Sequence, residues 1–364
     1  MTMKYLFAGG GSGGHIFPAI AIADEIRKLD DKAEILFIGA KGRIEEKIVP
    51  SNNYKLETID ISGFDRSNIF KNIKLPKKLI YSLRRCMKLI KEFKPDAAIG
   101  TGGFVCGPVI YVSNILRVPT LIQEGNSYAG RTIKFLSKRS KKVVINFKET
   151  EKYLKRKDNI VNIPHPIRSS LKITDREKAL EHFNLSADRK TIFVFGGSQG
   201  ARGINYGMEK IVRKLTEARI NIIWQTGRNE FKRLSDEFTE LKGNVRISEF
   251  IDDIDIAYSA SDLVICRAGI TSIMELAFLQ KASILIPLPT SAENHQEMNA
   301  RSLVIRNAAV LITENEIEAK LFDEIINITG DSKRRNELEE NIKQFSDPSA
   351  AKKIAEEVIK LIRN

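Results

Sequence analysis

The chain has little cysteine, no long apolar run and no low-complexity tract, and each shortage excludes something. Its 364 residues include three cysteines, Cys86, Cys106 and Cys266. They stand far apart, with no CxxC and no Cys/His ligand spacing, which argues against a disulfide framework and a structural zinc site and fits a reducing cytoplasm. No run reaches the roughly 18 apolar residues that a bilayer span requires. The N-terminus enters a strand at once, without a charged segment followed by an apolar one, so the protein is expected to be neither exported nor integral to a membrane. No paired-carboxylate motif accompanies the glycine-rich turns, so no metal or other cofactor is expected. No recognisable nucleic-acid motif is present either.

What is present in excess is positive charge. Fifty-nine Lys and Arg stand against 46 acids, a net charge of +13, which suits an anionic partner: nucleic acid, anionic lipid or a phosphorylated substrate. The surplus lies in the first half, with ten basic residues between Arg66 and Lys94 against the single acid Glu92. Without a nucleic-acid motif, charge alone predicts binding that collapses with salt, so nucleic acid is set aside. From Lys77 to Phe93 the apolar Leu79, Ile80, Leu83, Met87 and Ile90 fall on one helical face, while Lys78, Arg84, Arg85, Lys88 and Lys91 lie largely elsewhere. Such a face can turn to the helix's own core. The basic side can at the same time dock the domain on an anionic leaflet, each Lys or Arg contributing about 1 kcal/mol near the surface. Phe64, Ile69, Phe70, Ile73 and Leu75 are candidates for apolar contact with that surface.

The length exceeds what one hydrophobic core usually serves, so two domains are expected. Strand-like runs alternate with helical patterns in both halves, at 33–39, 96–100, 118–124, 142–146 and 159–163, then at 191–195, 220–225, 244–247, 262–266, 283–286 and 308–312. This is the α/β pattern of a parallel sheet covered by helices. Two prolines in Ile163-Pro164-His165-Pro166-Ile167-Arg168 stop any regular element, which sets the expected domains at 1–167 and 168–345. Residues 346–364 open on Ser346-Asp347-Pro348-Ser349, a helix start, and continue with Ile354, Val358, Ile359 and Ile362 at helical spacing. That helix either finishes the second domain or returns to the first.

The most informative stretch is Gly9-Gly10-Gly11-Ser12-Gly13-Gly14-His15, between a strand and a helix. Such a turn converges backbone N–H groups on an anion at the positive end of the helix dipole. Gly9, Gly11 and Gly14 satisfy the dinucleotide fingerprint, which also wants an acid about 20 residues on, at the end of the second strand. Here that strand ends Phe37-Ile38-Gly39-Ala40-Lys41, without one. A second glycine turn, Gly196-Gly197-Ser198-Gln199-Gly200, and a third, Gly100-Thr101-Gly102-Gly103, also follow apolar strands. The second half adds Phe250-Ile251-Asp252-Asp253, Cys266-Arg267-Ala268-Gly269-Ile270-Thr271-Ser272-Ile273-Met274-Glu275 and Glu293-Asn294-His295-Gln296-Glu297-Met298-Asn299-Ala300. Each puts polar side chains beyond a strand.

With GGGSGGH followed by FPAIAIA, then GTGGFVCGP, GGSQGARGIN and ENHQEMNA in this order, the whole chain resembles the MurG family of peptidoglycan glycosyltransferases, glycosyltransferase family 28 of the GT-B superfamily. The resemblance implies a GT-B fold, two Rossmann-like doubly wound domains facing across a cleft. It implies an inverting transfer of N-acetylglucosamine from UDP-N-acetylglucosamine to the C4 hydroxyl of the muramoyl sugar of lipid I, at the cytoplasmic face of the bacterial membrane. Cell-wall synthesis or division proteins are the protein partners it implies. By the same resemblance Gly197, Ser198 and Gln199 hold the donor diphosphate with Arg168. Phe250 and the Ile251 backbone take uracil, Glu275 the ribose, and His295 and Gln296 the sugar hydroxyls. Family members often have two glutamines at the last pair, so His295 is a departure. Gly125 is another, where glutamine is common, while Asn126 matches an active-site asparagine. Gly11, Ser12, Gly13, Gly14, Gly102 and Gly103 cradle the acceptor diphosphate, and His15 is the candidate base, with hydrogen bonding within the loop as its plainer role. His182 is expected at the surface and His165 in the hinge. The alternatives are another enzyme of this fold, such as a UDP-N-acetylglucosamine epimerase or a glycolipid transferase, and a non-catalytic anion- or membrane-binding protein.

Overall fold

The computed structural model describes residues 2–63, 73, 75–168, 171–197 and 199–363. The chain forms two compact units, residues 1–169 with 347–364, and residues 170–346. Each is a parallel sheet with helices on both faces.

The first unit's strands are β1 (Lys4–Gly9), β2 (Glu34–Ala40), β3 (Lys55–Ile59), β4 (Ala97–Gly102), β5 (Thr120–Glu124), β6 (Lys142–Ile145) and β7 (Ile160–Asn162). They stand in the order β3-β2-β1-β4-β5-β6-β7. Its helices are α1 (Gly13–Leu29), α2 (Glu45–Ser51), α3 (Leu75–Phe93), α4 (Gly103–Ile115) and α5 (Arg131–Leu136). Side chains of β1 alternate between two cores, as the pleat requires. Tyr5 and Phe7 pack with Ile16, Ile20 and Ile26 of α1, while Leu6 and Ala8 pack with Cys86 and Leu89 of α3 and Val105 and Val109 of α4. Helix α1 is apolar on nearly all sides, with Ile16, Ala19, Ile20, Ile22, Ala23 and Ile26 all buried. The reason lies in the last helix of the chain, α14 in chain order (Ala350–Arg363), which packs on α1 and gives Ile354, Ala355 and Val358 to the same core. Asp347 starts it by accepting from the Ser349 N–H at 2.8 Å. An apolar all-round helix is one covered on both sides.

Helix α3 corrects the expected apolar stripe. Its buried residues are Ser82, Cys86, Leu89 and Ile90, and Leu83 and Met87 pack partly against them. Leu79 and Ile80, assigned to the same face, are exposed with Tyr81. Ile73 is also exposed, whereas Phe64, Ile69 and Phe70 lie outside the described residues.

The second unit repeats the scheme with β8 (Lys190–Phe195), β9 (Ile220–Gln225), β10 (Val245–Ser248), β11 (Leu263–Cys266), β12 (Ser283–Leu285) and β13 (Val310–Leu311), in the order β10-β9-β8-β11-β12-β13. Its helices are α6 (Arg176–His182), α7 (Arg202–Glu217), α8 (Arg228–Glu237), α9 (Ile254–Ala260), α10 (Ile270–Phe278), α11 (His295–Val304), α12 (Ile317–Gly330) and α13 (Ser332–Ile342). Ile192 and Val194 join Ile204, Met208 and Leu215 of α7 on one face. Phe193 and Phe195 stack on each other and meet Tyr258 of α9 edge-on. All three cysteines are buried free thiols, and burial pushes Cys86 and Cys106 up to about 12. Among the described residues no helix is long and apolar enough to cross a membrane.

Ile354 is fully buried between α1 and the sheet. Ile354→Ala should therefore cost the first unit about 3 kcal/mol. Urea unfolding followed in the two units separately should show the loss in the first and leave the second unchanged.

Candidate functional site

In the first unit the site forms where the strand order reverses. β1 and β4 are neighbours, but α1 and α4 leave them toward opposite faces, which opens a crevice at their carboxyl ends. Gly9 pairs with Gly102 there. His15, half-buried in the first turn of α1, lies against the β4–α4 junction with Nδ1 3.1 Å from the Thr101 carbonyl. A carbonyl only accepts, so Nδ1 carries the proton and Nε2 is the basic nitrogen. The Thr101 hydroxyl donates in return to the His15 carbonyl at 2.6 Å. A Cβ on Gly102 would come 2.6 Å from His15 Nδ1, and one on Gly103 would overlap the Gly10 carbonyl. With φ of 105° and 78° as well, these two positions require glycine.

Gly13 and Gly14 open α1, and first-turn amides have no acceptor inside a helix. Among the described residues neither amide has an acceptor, and the two lie at the positive end of the dipole. Gly11 does not join them, because its N–H donates to the Glu45 carboxylate, at 3.1 Å from Oε2. Gly11 therefore lends the expected cradle its shape and not a donor. Beyond β5, the backbone and side-chain N–H groups of Asn126 both donate to Glu124 Oε1 at 3.0 Å. The other oxygen of Glu124 accepts from the Gly130 N–H at 2.9 Å, and the carboxylate is buried.

His165, a few residues before the boundary between the units, is buried. Its N–H donates to Asn146 Oδ1 at 2.8 Å, and its Nδ1 stands 2.9 Å from Gln123 Nε2. An amide nitrogen only donates, so Nδ1 accepts and the ring is neutral. Burial, helped by nearby His15, pushes its pKa down to about 3. Three residues on, Arg168 falls on the first unit's side of the boundary. His182 packs edge-on against Phe183.

The second unit has the equivalent crevice beyond β8 and β11. Gly197, with φ of 91°, accepts from the Gly200 N–H and from Gln225 Nε2, each at 3.0 Å. Gln225 Oε1 accepts from the Ile251 N–H at 2.9 Å, so Ile251 presents its carbonyl and not its amide. Phe250 beside it is 52% exposed, a large apolar ring left facing solvent. Gln199 is exposed, and Ser198 lies outside the described residues. Buried Glu275, on α10, accepts from the Tyr258 hydroxyl at 3.1 Å. His295 opens α11 after two residues with left-handed backbone, Glu293 and Asn294, at φ of 55° and 56°. Its Nδ1 is 2.7 Å from the Ala292 carbonyl, which leaves Nε2 as the acceptor nitrogen. Gln296 Oε1 accepts from the Leu288 N–H at 2.9 Å.

Two doubly wound units with glycine turns at both switch points are matched by known sequences over their whole length. Residues 5–145 match the glycosyltransferase family 28 N-terminal domain, and residues 191–357 the glycosyltransferase family 28 C-terminal domain. The chain belongs to glycosyltransferase family 28.

A relative from Parabacteroides distasonis is 42% identical over 99% of this chain and 98% of its own length. It is named a UDP-N-acetylglucosamine–N-acetylmuramyl-(pentapeptide) pyrophosphoryl-undecaprenol N-acetylglucosamine transferase. One of the same name from Listeria monocytogenes is 39% identical over 99% of this chain and all of its own. The crystal structure of Acinetobacter baumannii MurG superposes with a TM-score of 0.78 at 25% identity, covering 98% of this chain and 99% of that one. A UDP-N-acetylglucosamine 2-epimerase superposes at 0.69 with 13% identity over 99% of this chain and 95% of its own, a likeness of fold alone. As a family 28 chain of two parallel-sheet Rossmann-like domains, the protein is a hexosyltransferase with the GT-B fold.

Four residues that hold these turns and loops were not singled out from the sequence: Glu45, Glu124, Gln225 and Tyr258. Gln225 and Glu124 carried a signal, each a polar residue ending an apolar strand. Glu45 and Tyr258 carried none: Glu45 reaches Gly11, 34 residues away, as well as nearby Ala40, and Tyr258 reaches Glu275, 17 residues away.

His165 makes a prediction about acid stability. Its folded pKa lies below the unfolded value of about 6.5, so below that pH the unfolded chain takes up a proton that the folded chain refuses. Stability should fall as pH drops from about 6.5 toward 3, by as much as about 1.4 kcal/mol per pH unit. His165→Gln should flatten that slope between pH 6 and 4.5 in chemical unfolding. An equal slope in both proteins would assign the titration to other groups.

Proposed function

We propose that this chain transfers N-acetylglucosamine from UDP-N-acetylglucosamine to the C4 hydroxyl of the muramoyl sugar in undecaprenyl-diphospho-muramoylpentapeptide, with inversion, forming the disaccharide lipid used for peptidoglycan. The reading is supported by the relatives' name over the full length. The observation that carries the chemistry is His15, whose Nδ1 is tied to the Thr101 carbonyl. The basic Nε2 takes the proton from the acceptor hydroxyl as its oxygen attacks the anomeric carbon. The bond from that carbon to the diphosphate breaks, its electrons leave with UDP, and water later removes the proton from His15. General-base assistance of this kind contributes roughly a hundred- to ten-thousandfold.

The remaining assignments follow from donors and acceptors. Gly13 and Gly14, with the Gly102–Gly103 turn, receive the acceptor diphosphate, and Asn126, held by Glu124, orients the acceptor sugar. Uracil stacks on Phe250 and donates its ring N–H to the Ile251 carbonyl. Glu275, aimed by Tyr258, accepts from the ribose hydroxyls. His295 and Gln296 read the hydroxyls of the transferred sugar. The turn at Gly197, Ser198 and Gln199 together with the start of α7, and Arg168, stabilise the charge on the departing UDP.

The acceptor's lipid places the first unit at the inner, anionic face of the cell membrane. Leu79, Ile80 and Tyr81 are exposed on α3 among Lys77, Arg84 and Lys91. Lys78, Arg85 and Lys88 of the same helix pair with Asp60, Glu57 and Glu92, so among the described residues the former three carry the unbalanced charge. Cell-wall synthesis and division proteins are the natural protein partners of an enzyme so placed.

The direct test is transfer of labelled N-acetylglucosamine to the lipid acceptor or a short-chain analogue, and a protein that forms no labelled disaccharide lipid does not have this function. His15→Ala should lower kcat by roughly a hundred- to ten-thousandfold while UDP affinity stays within about twofold, as the second unit is untouched. On vesicles rich in anionic lipid, Lys77→Ala with Arg84→Ala should weaken partitioning by about 2 kcal/mol, roughly thirtyfold, at low salt. Unchanged sedimentation with those vesicles would remove α3 from the membrane face.

A further inference from the structure

The acid that a dinucleotide site wants at the end of its second strand is absent from β2, yet an acid reaches the same place from elsewhere. Glu45 is the first residue of α2, five residues past the strand end at Ala40, and its side chain is fully buried. The carboxylate points back over the strand end. Oε1 accepts from the Ala40 N–H at 2.9 Å, and Oε2 and Oε1 share the Gly11 N–H at 3.1 and 3.3 Å. Two neighbouring glycines make the room it occupies: a Cβ on Gly10 would overlap Oε1, and one on Gly39 would come 2.6 Å from Cγ. No basic side chain among the described residues pairs with it. A buried carboxylate is therefore held by two backbone amides of separate elements, an arrangement that is costly to bury unless those bonds are made.

The consequence falls on the loop. Glu45 draws the Gly11 peptide toward β2, while the Phe104 ring covers the other side of Gly11, where a Cβ would come 2.6 Å from Cε1. Held between the two, the loop passes through Ser12 into α1, whose first amides are those of Gly13 and Gly14. The same contact places a carboxylate where a dinucleotide would bring its ribose, but turned into the loop and away from any ligand. We infer that Glu45 is a positioning residue of the acceptor site, which holds the glycine loop in its diphosphate-receiving shape by clamping the Gly11 amide to the end of β2. This rests on the acceptor role proposed for the first unit, and it adds the residue that shapes that site without touching the substrate.

Two measurements test it. In the unliganded wild-type protein, residue-resolved amide exchange should find Gly11 and Ala40 protected and Gly13 and Gly14 exchanging at least tenfold faster. Equal exchange at Gly11 and Gly13 would overturn the clamp, and this outcome does not depend on what the enzyme transfers. Glu45→Gln keeps the volume but puts an amide N–H against the Gly11 N–H. With the short-chain lipid acceptor it should raise the acceptor KM about tenfold and leave the UDP-N-acetylglucosamine KM within twofold. Gly10→Ala, which pushes the carboxylate aside without removing it, should do the same, and the pair of changes should be less than additive. An unchanged acceptor KM, or a parallel rise in both KM values, would overturn the positioning role. If wild-type protein transfers nothing to this acceptor while Gly11 is protected as expected, the proposed function fails and the clamp stands.

Discussion

The first unit's site depends on the two hydrogen bonds between Thr101 and His15, which tie the end of β4 to the start of α1. One fixes the histidine tautomer and the other holds its backbone, so the position of the basic nitrogen and the position of the glycine loop are set together. Neither bond forms unless the chain passes within van der Waals distance of the imidazole, and this is what Gly102 and Gly103 permit. A parallel sheet supplies the adjacency. Because α1 and α4 cover opposite faces, the two turns lie over the carboxyl ends of β1 and β4.

A second regularity follows from the same glycines. A loop with few side chains gains from an outside hold, and two of the three glycine turns, with the loop after β5, are gripped by a buried polar side chain. Glu45 holds Gly11, Glu124 holds Asn126 and Gly130, and Gln225 holds Gly197 and Ile251. These side chains accept or donate to the backbone at the rim of the sheet and turn the remaining donors outward. Under the proposed function, the loops that receive diphosphate are shaped by acids and amides that face away from the anion, with the charge of the carboxylate engaged by backbone amides.

Most of the strands and all three glycine turns were legible in the sequence, because apolar runs followed by glycine report a local constraint. The apolar face of α3 was legible only in part. Its periodicity was right, but Leu79 and Ile80 lie on the first turns, which run past the core that covers Cys86 and Leu89. The absence of an acid at residues 37–41 pointed away from a dinucleotide site. The reason is sharper in the structure, where Glu45 fills that place from the following helix. His165 looked like hinge structure because two prolines flank it, and its partner Gln123 lies 42 residues earlier.

By itself, the sequence determined the alternation of strand and helix, the three turns able to receive an anion and the family to which the chain belongs, since each is written in residues close together along the chain. Tertiary structure alone decided which nitrogen of His15 is basic, which amides remain for a ligand, and that α14 completes the core of the first unit and not the second. Those outcomes depend on groups tens or hundreds of residues apart that meet at a sheet edge. A hydrogen bond depends on the distance between two atoms in space, on which their separation along the chain carries almost no information.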